Sequence, residues 1–147
     1  MEFHTKRKLE INQHTPEFVP IPAIEIDHVL LITENSLQEL EEIWGETIDE
    51  RRFRGNIVFT IADDVPFTEE MLIGQKLKIG NNVVLQVNEY CKRCMIITVN
   101  PKTGEKQPSL LKKIAKERNN HFGIYASVVK TGKINVGDSI EIESNKE

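Results

Sequence analysis

Cys91 and Cys94 are the only cysteines of the chain. They enclose two cations at the head of the run Cys91-Lys92-Arg93-Cys94-Met95-Ile96-Ile97-Thr98-Val99-Asn100-Pro101-Lys102-Thr103-Gly104. A thiol beside fixed positive charge can be held as a thiolate, which is both a nucleophile and a soft metal ligand. Four readings stand side by side. A structural zinc site needs four ligands, but there is no second CxxC, and His4, His14, His28 and His121 are scattered. A thioredoxin-like dithiol opens a helix, whereas Cys94 leads into the strand-like Met95 to Val99. In the third reading Cys94 is a thiolate ligand and Cys91 is structural. Strand alternation then sets Cys94, Ile96 and Thr98 on one face, with Arg93 beside them. In the fourth, both cysteines are small buried hydrophobes.

A second group precedes the β-rich Ile57 to Ile61. Arg51-Arg52-Phe53-Arg54-Gly55-Asn56 places three arginines in four positions of a chain whose net charge is −4. Guanidinium forks suit phosphate, and Asn56 can donate to and accept from a polar heterocycle. The competing reading is a solvated turn that answers Asp49 and Glu50.

The elements that must position these groups read mainly as strands. His28 to Thr33 is a short apolar run. Ile57 to Ile61, Val83 to Asn88, Cys94 to Val99, Phe122 to Val129 and Ser139 to Glu143 follow, separated by turns at Gly80-Asn81-Asn82, Pro101 to Gly104, Lys130 to Gly132 and Val136 to Asp138. Ser36-Leu37-Gln38-Glu39 is a capping-box pattern. It predicts a helix over Ser36 to Trp44 that Gly45 stops, and a second helix is predicted over Ser109 to Arg118. Many strands with two short helices favour a closed or partly closed β-barrel.

At 147 residues, 39% hydrophobic and 29% charged, the chain reads as a single ordinary globular domain. Its acidity speaks against a general nucleic-acid surface. No apolar run approaches the about 20 residues of a membrane helix, and the N-terminus lacks a secretory h-region. A cytoplasmic chain with free thiols is therefore expected. Residues 1–27, with three prolines between Asn12 and Pro22, read as an irregular segment packed on or beside a domain over 28–147.

In order along the chain, several segments resemble the MOSC domain, which is found at the C-terminus of molybdenum cofactor sulfurases and in amidoxime-reducing components. They are His28 to Thr33 with Ser36-Leu37 and Leu40; Arg52-Phe53-Arg54-Gly55-Asn56-Ile57-Val58; Leu72-Ile73-Gly74; Arg93-Cys94 with Thr98-Val99-Asn100-Pro101 and Thr103-Gly104; and Phe122 to Tyr125 with Gly132 to Asp138. The resemblance spans about residues 28 to 142. It implies a MOSC-type, pyruvate-kinase-barrel-like β-barrel with two short helices that binds the molybdenum cofactor (molybdopterin).

By matching position, Cys94 becomes the metal-binding or sulfur-carrying thiolate. Arg52, Arg54, Asn56, Arg93 and Thr98 become the residues that hold the anionic pterin. The implied role is a sulfur or cofactor carrier, or an oxo-transfer component that reduces N–O bonds, with a sulfur-donor or electron-donor protein as partner. Neither the family's preceding β-barrel nor a pyridoxal-phosphate desulfurase domain is expected in this sequence, so no pyridoxal phosphate is expected on it. The family's VDP is Val99-Asn100-Pro101 here, and its later arginine corresponds to Arg118 or to none. The alternative is a cofactor-free β-barrel module that binds a small anion or a partner.

Overall fold

A computed structural model describes Asp27 and residues 29–143. The expected N-terminal segment lies outside the described residues except for Asp27, and so does His28.

The strands are β1 (Val29–Thr33), β2 (Ile57–Phe59), β3 (Lys76–Ile79), β4 (Val83–Lys92), β5 (His121–Lys130) and β6 (Ile140–Ile142). The α-helices are α1 (Glu34–Trp44) and α2 (Pro108–Arg118). One sheet runs in the order β2-β1-β5-β4-β3-β6, curled into a half-barrel as expected for a mostly-β chain with two helices. Only the β1–β2 pair is parallel, and α1 lies in the crossover between them. The register of β4 against β5 breaks three times, between Val84 and Leu85, Val87 and Glu89, and Tyr90 and Lys92. Such breaks bend a strand and add twist. They account for the curl, and β4 stays paired to its last residue, Lys92 with His121.

β1 reads as continuously apolar because both its faces are covered. Leu30 and Ile32 join Leu40, Phe53, Cys91, Ile97, Leu110, Ile114 and Phe122 under the helices. Leu31 joins Leu77, Leu85, Val87, Ile124 and Ala126 on the other face. Gly123, at φ +87°, lets β5 run close to β1. A Cβ there would lie 3.1 Å from Leu30 Cδ1 and 3.2 Å from the Leu31 carbonyl oxygen.

Three sequence expectations change. Thr33, rather than Ser36, caps α1 by accepting from the Ser36 N–H at 3.2 Å. The strand expected over Cys94 to Val99 is a 3₁₀ turn, Met95–Thr98. β3 was not among the expected strands.

Ser36 Oγ instead serves a buried network. It accepts from Thr33 Oγ1 at 2.7 Å and from the Phe67 N–H at 2.8 Å, and it donates to Glu69 Oε2 at 2.9 Å. Glu69 is 1% exposed. Burial raises its carboxyl above the ordinary value, against the opposing hydrogen bonds from Ser36 and Thr33. The folded chain therefore holds this proton more tightly than the unfolded chain does. Stability should fall as pH rises from the unfolded carboxyl range through the higher folded value. Glu69→Gln is expected to flatten that slope in denaturant titrations carried upward from the unfolded carboxyl range. An unchanged slope would mean that Glu69 is not its source. Gly123→Ala should cost roughly 1–3 kcal/mol in the same assay, through left-handed strain and contact with β1.

Candidate functional site

The cysteine run and the arginine run meet where β4 ends. Each closes a 3₁₀ turn, Glu50–Phe53 and Met95–Thr98. Such turns leave carbonyl oxygens unpaired, and two buried arginines take them up. Arg52 Nη1 donates to the Ile97 oxygen at 3.0 Å, and Arg93 Nη2 donates to the Phe53 oxygen at 2.7 Å. The two bonds run in opposite directions between the same pair of turns, so each turn holds the other.

The remaining contacts of these arginines are also internal. Arg52 Nη2 donates to Gln107 Oε1, and its guanidinium lies 5.4 Å from the Trp44 ring centroid. Arg93 Nη1 donates to Cys91 Sγ at 2.9 Å, and its guanidinium lies 5.2 Å from the Phe53 ring centroid. Arg52 is 4% and Arg93 7% exposed, and the Nε of each is buried without a partner. Desolvation by burial lowers the Arg52 pKa, which Asp49 and Glu46 oppose through space.

Burial alternates along the end of β4. Cys91 and Arg93 are buried, while Lys92 and Cys94 are exposed. Arg93 therefore touches the sulfur of Cys91 and not that of Cys94. Among the described residues no group of three or more His, Cys, Asp or Glu is placed to hold a metal ion. The zinc reading has no ligand set there. Of the two thiols, Cys91 is buried and Cys94 is exposed.

Thr98 does not share a face with Cys94, as strand alternation would have it. It is 1% exposed, and its hydroxyl donates to the Met95 oxygen at 2.7 Å, closing the turn. Asn56 is exposed, but its polar groups hold β1. Its Oδ1 accepts from the Leu30 N–H at 2.7 Å, and its N–H donates to the Leu30 oxygen at 2.9 Å.

Arg54 stands apart from the other two motif arginines. It is exposed, in the left-handed region at φ 56°, and it lines an open cleft of about 290 Å³ with Glu50, Arg51, Gly55 and Val58. Arg51 is paired with Asp49 at 2.7 Å, and that guanidinium lowers the Asp49 carboxyl to about 2. The solvated-turn reading thus describes Arg51, while Arg54 faces the cleft. A larger recess of about 500 Å³ is lined by Glu41, Glu42 and Glu46 and is electrostatically unsuited to an anion. Arg118, at the end of α2, pairs with Glu70 and lies 3.6 Å from the Phe67 ring centroid.

Sequence reasoning missed Phe53, Gln107 and Asn120 as partners of these arginines. Phe53 lay in plain view between Arg52 and Arg54. Gln107 and Asn120 had no local signal.

Two expectations follow. Iodoacetamide should alkylate Cys94 in the native chain and reach Cys91 only on unfolding, as mass spectrometry of the two peptides would show. Equal rates would contradict the burial of Cys91. Arg93→Ala should destabilise by roughly 2–4 kcal/mol in chemical denaturation, from the lost charged hydrogen bond and the stranded Phe53 carbonyl.

The MOSC domain matches residues 25–141. The chain is 44% identical over 102 residues to the molybdenum cofactor sulfurase of Drosophila grimshawi, covering 67% of this chain and 12% of the relative. It is 40% identical over 101 residues to that of Caenorhabditis elegans, covering 65% and 14%. The chain thus spans only about an eighth of the relatives it matches. Among solved structures, the fold is similar to YiiM from Geobacillus stearothermophilus, with TM-score 0.61, 17% identity, and 80% of this chain and 55% of that one covered. It is also similar to the YUAD protein from Bacillus subtilis, with TM-score 0.63, 17% identity, and coverage of 80% and 64%.

Proposed function

The chain belongs to the MOSC domain family, and from that premise we propose that it binds the molybdenum cofactor and handles its metal or sulfur through Cys94. One observation carries this reading. The accessible thiol follows Arg93 directly, the cleft arginine Arg54 follows Phe53 directly, and a 2.7 Å hydrogen bond joins Arg93 to Phe53.

The donor set suits the group. A single exposed thiolate is a soft ligand, and an exposed arginine in a cleft near the lower end of ligand-site volumes (about 300–1,000 Å³) suits a phosphate. Arg52 and Arg93, whose polar hydrogens face inward, enter as the residues that fix the turns and supply positive charge behind them. Thr98 closes the second turn, and Asn56 ties the segment after the first to β1. When bound, the cofactor would supply a molybdenum centre capable of oxo transfer.

For the protein's own chemistry, Cys94 Sγ is the nucleophile. Attacking a donor cysteine's persulfide at its outer sulfur, it forms a new S–S bond as the donor's S–S bond breaks and the donor leaves as a thiol. The sulfurase names of the relatives favour this sulfur and cofactor handling over N–O reduction.

The test is molybdenum per chain, by elemental analysis, on protein from a host that makes the cofactor. Near-stoichiometric metal is expected in the wild type, with loss in Cys94→Ser. Arg54→Ala should lower the content at least about tenfold with thermal stability nearly unchanged, since a charged phosphate contact is worth roughly 1.5–3 kcal/mol. Cys91→Ser should retain the metal. Molybdenum absent from every form, with no persulfide mass on Cys94, would leave the cofactor-free module as the reading.

A further inference from the structure

α2 passes into β5 through two residues, Asn119 and Asn120, both left-handed at φ 51° and 63°. Asparagine tolerates this region better than most residues. Two successive non-glycine residues there still mark a turn that the surrounding structure enforces, and such strain concentrates at functional positions.

The contacts of Asn120 converge on one residue. Its main-chain oxygen accepts from the Arg93 N–H at 2.9 Å, and its Nδ2 donates to the Arg93 oxygen at 2.9 Å. Its own N–H donates to the Ile114 oxygen at 3.0 Å, tying the grip to the body of α2. The Oδ1 is buried with no partner, so the carboxamide serves the Arg93 carbonyl alone. That carbonyl belongs to the peptide leading into Cys94, at the point where the β4–β5 ladder has ended.

We propose that Asn120 is a positioning residue for Cys94: by holding both backbone groups of Arg93, it fixes the direction in which the thiol leaves β4. The thiol is thereby kept in register with the turn that carries Arg54, which Arg93 holds through Phe53. This role rests on Cys94 being the working thiol, the reading already proposed.

The test uses the cofactor-free chain and compares alkylation of Cys94 by iodoacetate with that by iodoacetamide. The ratio reports the charge around the sulfur and is insensitive to general loosening. Asn120→Gly keeps the left-handed backbone and its main-chain bonds but deletes the carboxamide. This variant should lower the ratio about threefold or more while Tm stays within about 3 °C and Cys91 stays protected. Asn119→Gly, which touches no Arg93 bond, should leave the ratio unchanged.

An unchanged ratio in Asn120→Gly overturns the proposal. So does a fall matched by Asn119→Gly, or one accompanied by a large drop in Tm and alkylation of Cys91, since either assigns Asn120 to the fold alone. Because no cofactor is present, the result stands apart from molybdenum loss in Cys94→Ser, which tests the functional reading itself.

Discussion

Two guanidinium groups buried between two 3₁₀ turns hold the candidate site together. Arg52 reaches from the first turn to the Ile97 oxygen of the second, and Arg93 reaches back from the foot of the second to the Phe53 oxygen of the first. A guanidinium out of water requires acceptors, and a 3₁₀ turn in a protein interior has carbonyls that require donors. Each need answers the other. Lysine could not replace either residue without loss, because each arginine uses two nitrogens at once on acceptors from different parts of the chain: Ile97 and Gln107 for Arg52, Phe53 and Cys91 for Arg93. The exposed groups follow from this joint, since Arg54 comes directly after Phe53 and Cys94 directly after Arg93.

The joint rests on packing. The Phe53 ring lies 4.4 Å from that of Phe122, centroid to centroid, in the cluster that also holds Cys91, Ile97, Leu110 and Ile114. β5 brings Phe122, α2 brings Leu110 and Ile114, and β4 brings Cys91. The three register breaks between β4 and β5 let β4 curl over this cluster as far as the Lys92–His121 pair that ends it. A flat ladder would have carried Cys94 onward as a strand residue and left no room for the turn that Arg52 caps.

The sequence is legible where local rules and tertiary structure agree. α1 ends at Gly45 in the left-handed conformation that its helical spacing predicts, and α2 opens on Pro108, a residue suited to a first turn. Met95 to Val99 misleads because its β-branched content favours a strand, and distant partners decide otherwise. Thr98 Oγ1 bonds the Met95 oxygen, Arg52 takes the Ile97 oxygen, and the Thr98 oxygen takes the Gln107 N–H at 2.7 Å. The burial of Arg52 and Arg93 is illegible for the same reason. Three arginines in four positions of an acidic chain read as a solvated or ligand-facing face, and the carbonyls that draw two arginines inward lie 45 and 40 residues away. Only Arg54, stranded at the left-handed end of its turn, keeps the outward role that composition suggests for all three.

The inward arginines also set the charge behind the turns. Among the described residues both donate to dipoles and a thiol, with no carboxylate in direct contact and with each Nε unpartnered; Asp49 and Glu46 act on Arg52 only through space. Dipoles orient a charge without cancelling it. Two formal positive charges therefore persist behind the turns in a poorly screened interior, where charge acts over longer range than at the surface. The anion site proposed for a chain with net charge −4 would draw on these buried charges. In the proposed reading Arg54 would supply the contact, and the buried pair a field that salt reaches poorly. An acidic protein needs no basic surface to receive an anionic ligand if its cations are few, buried and left without carboxylate partners.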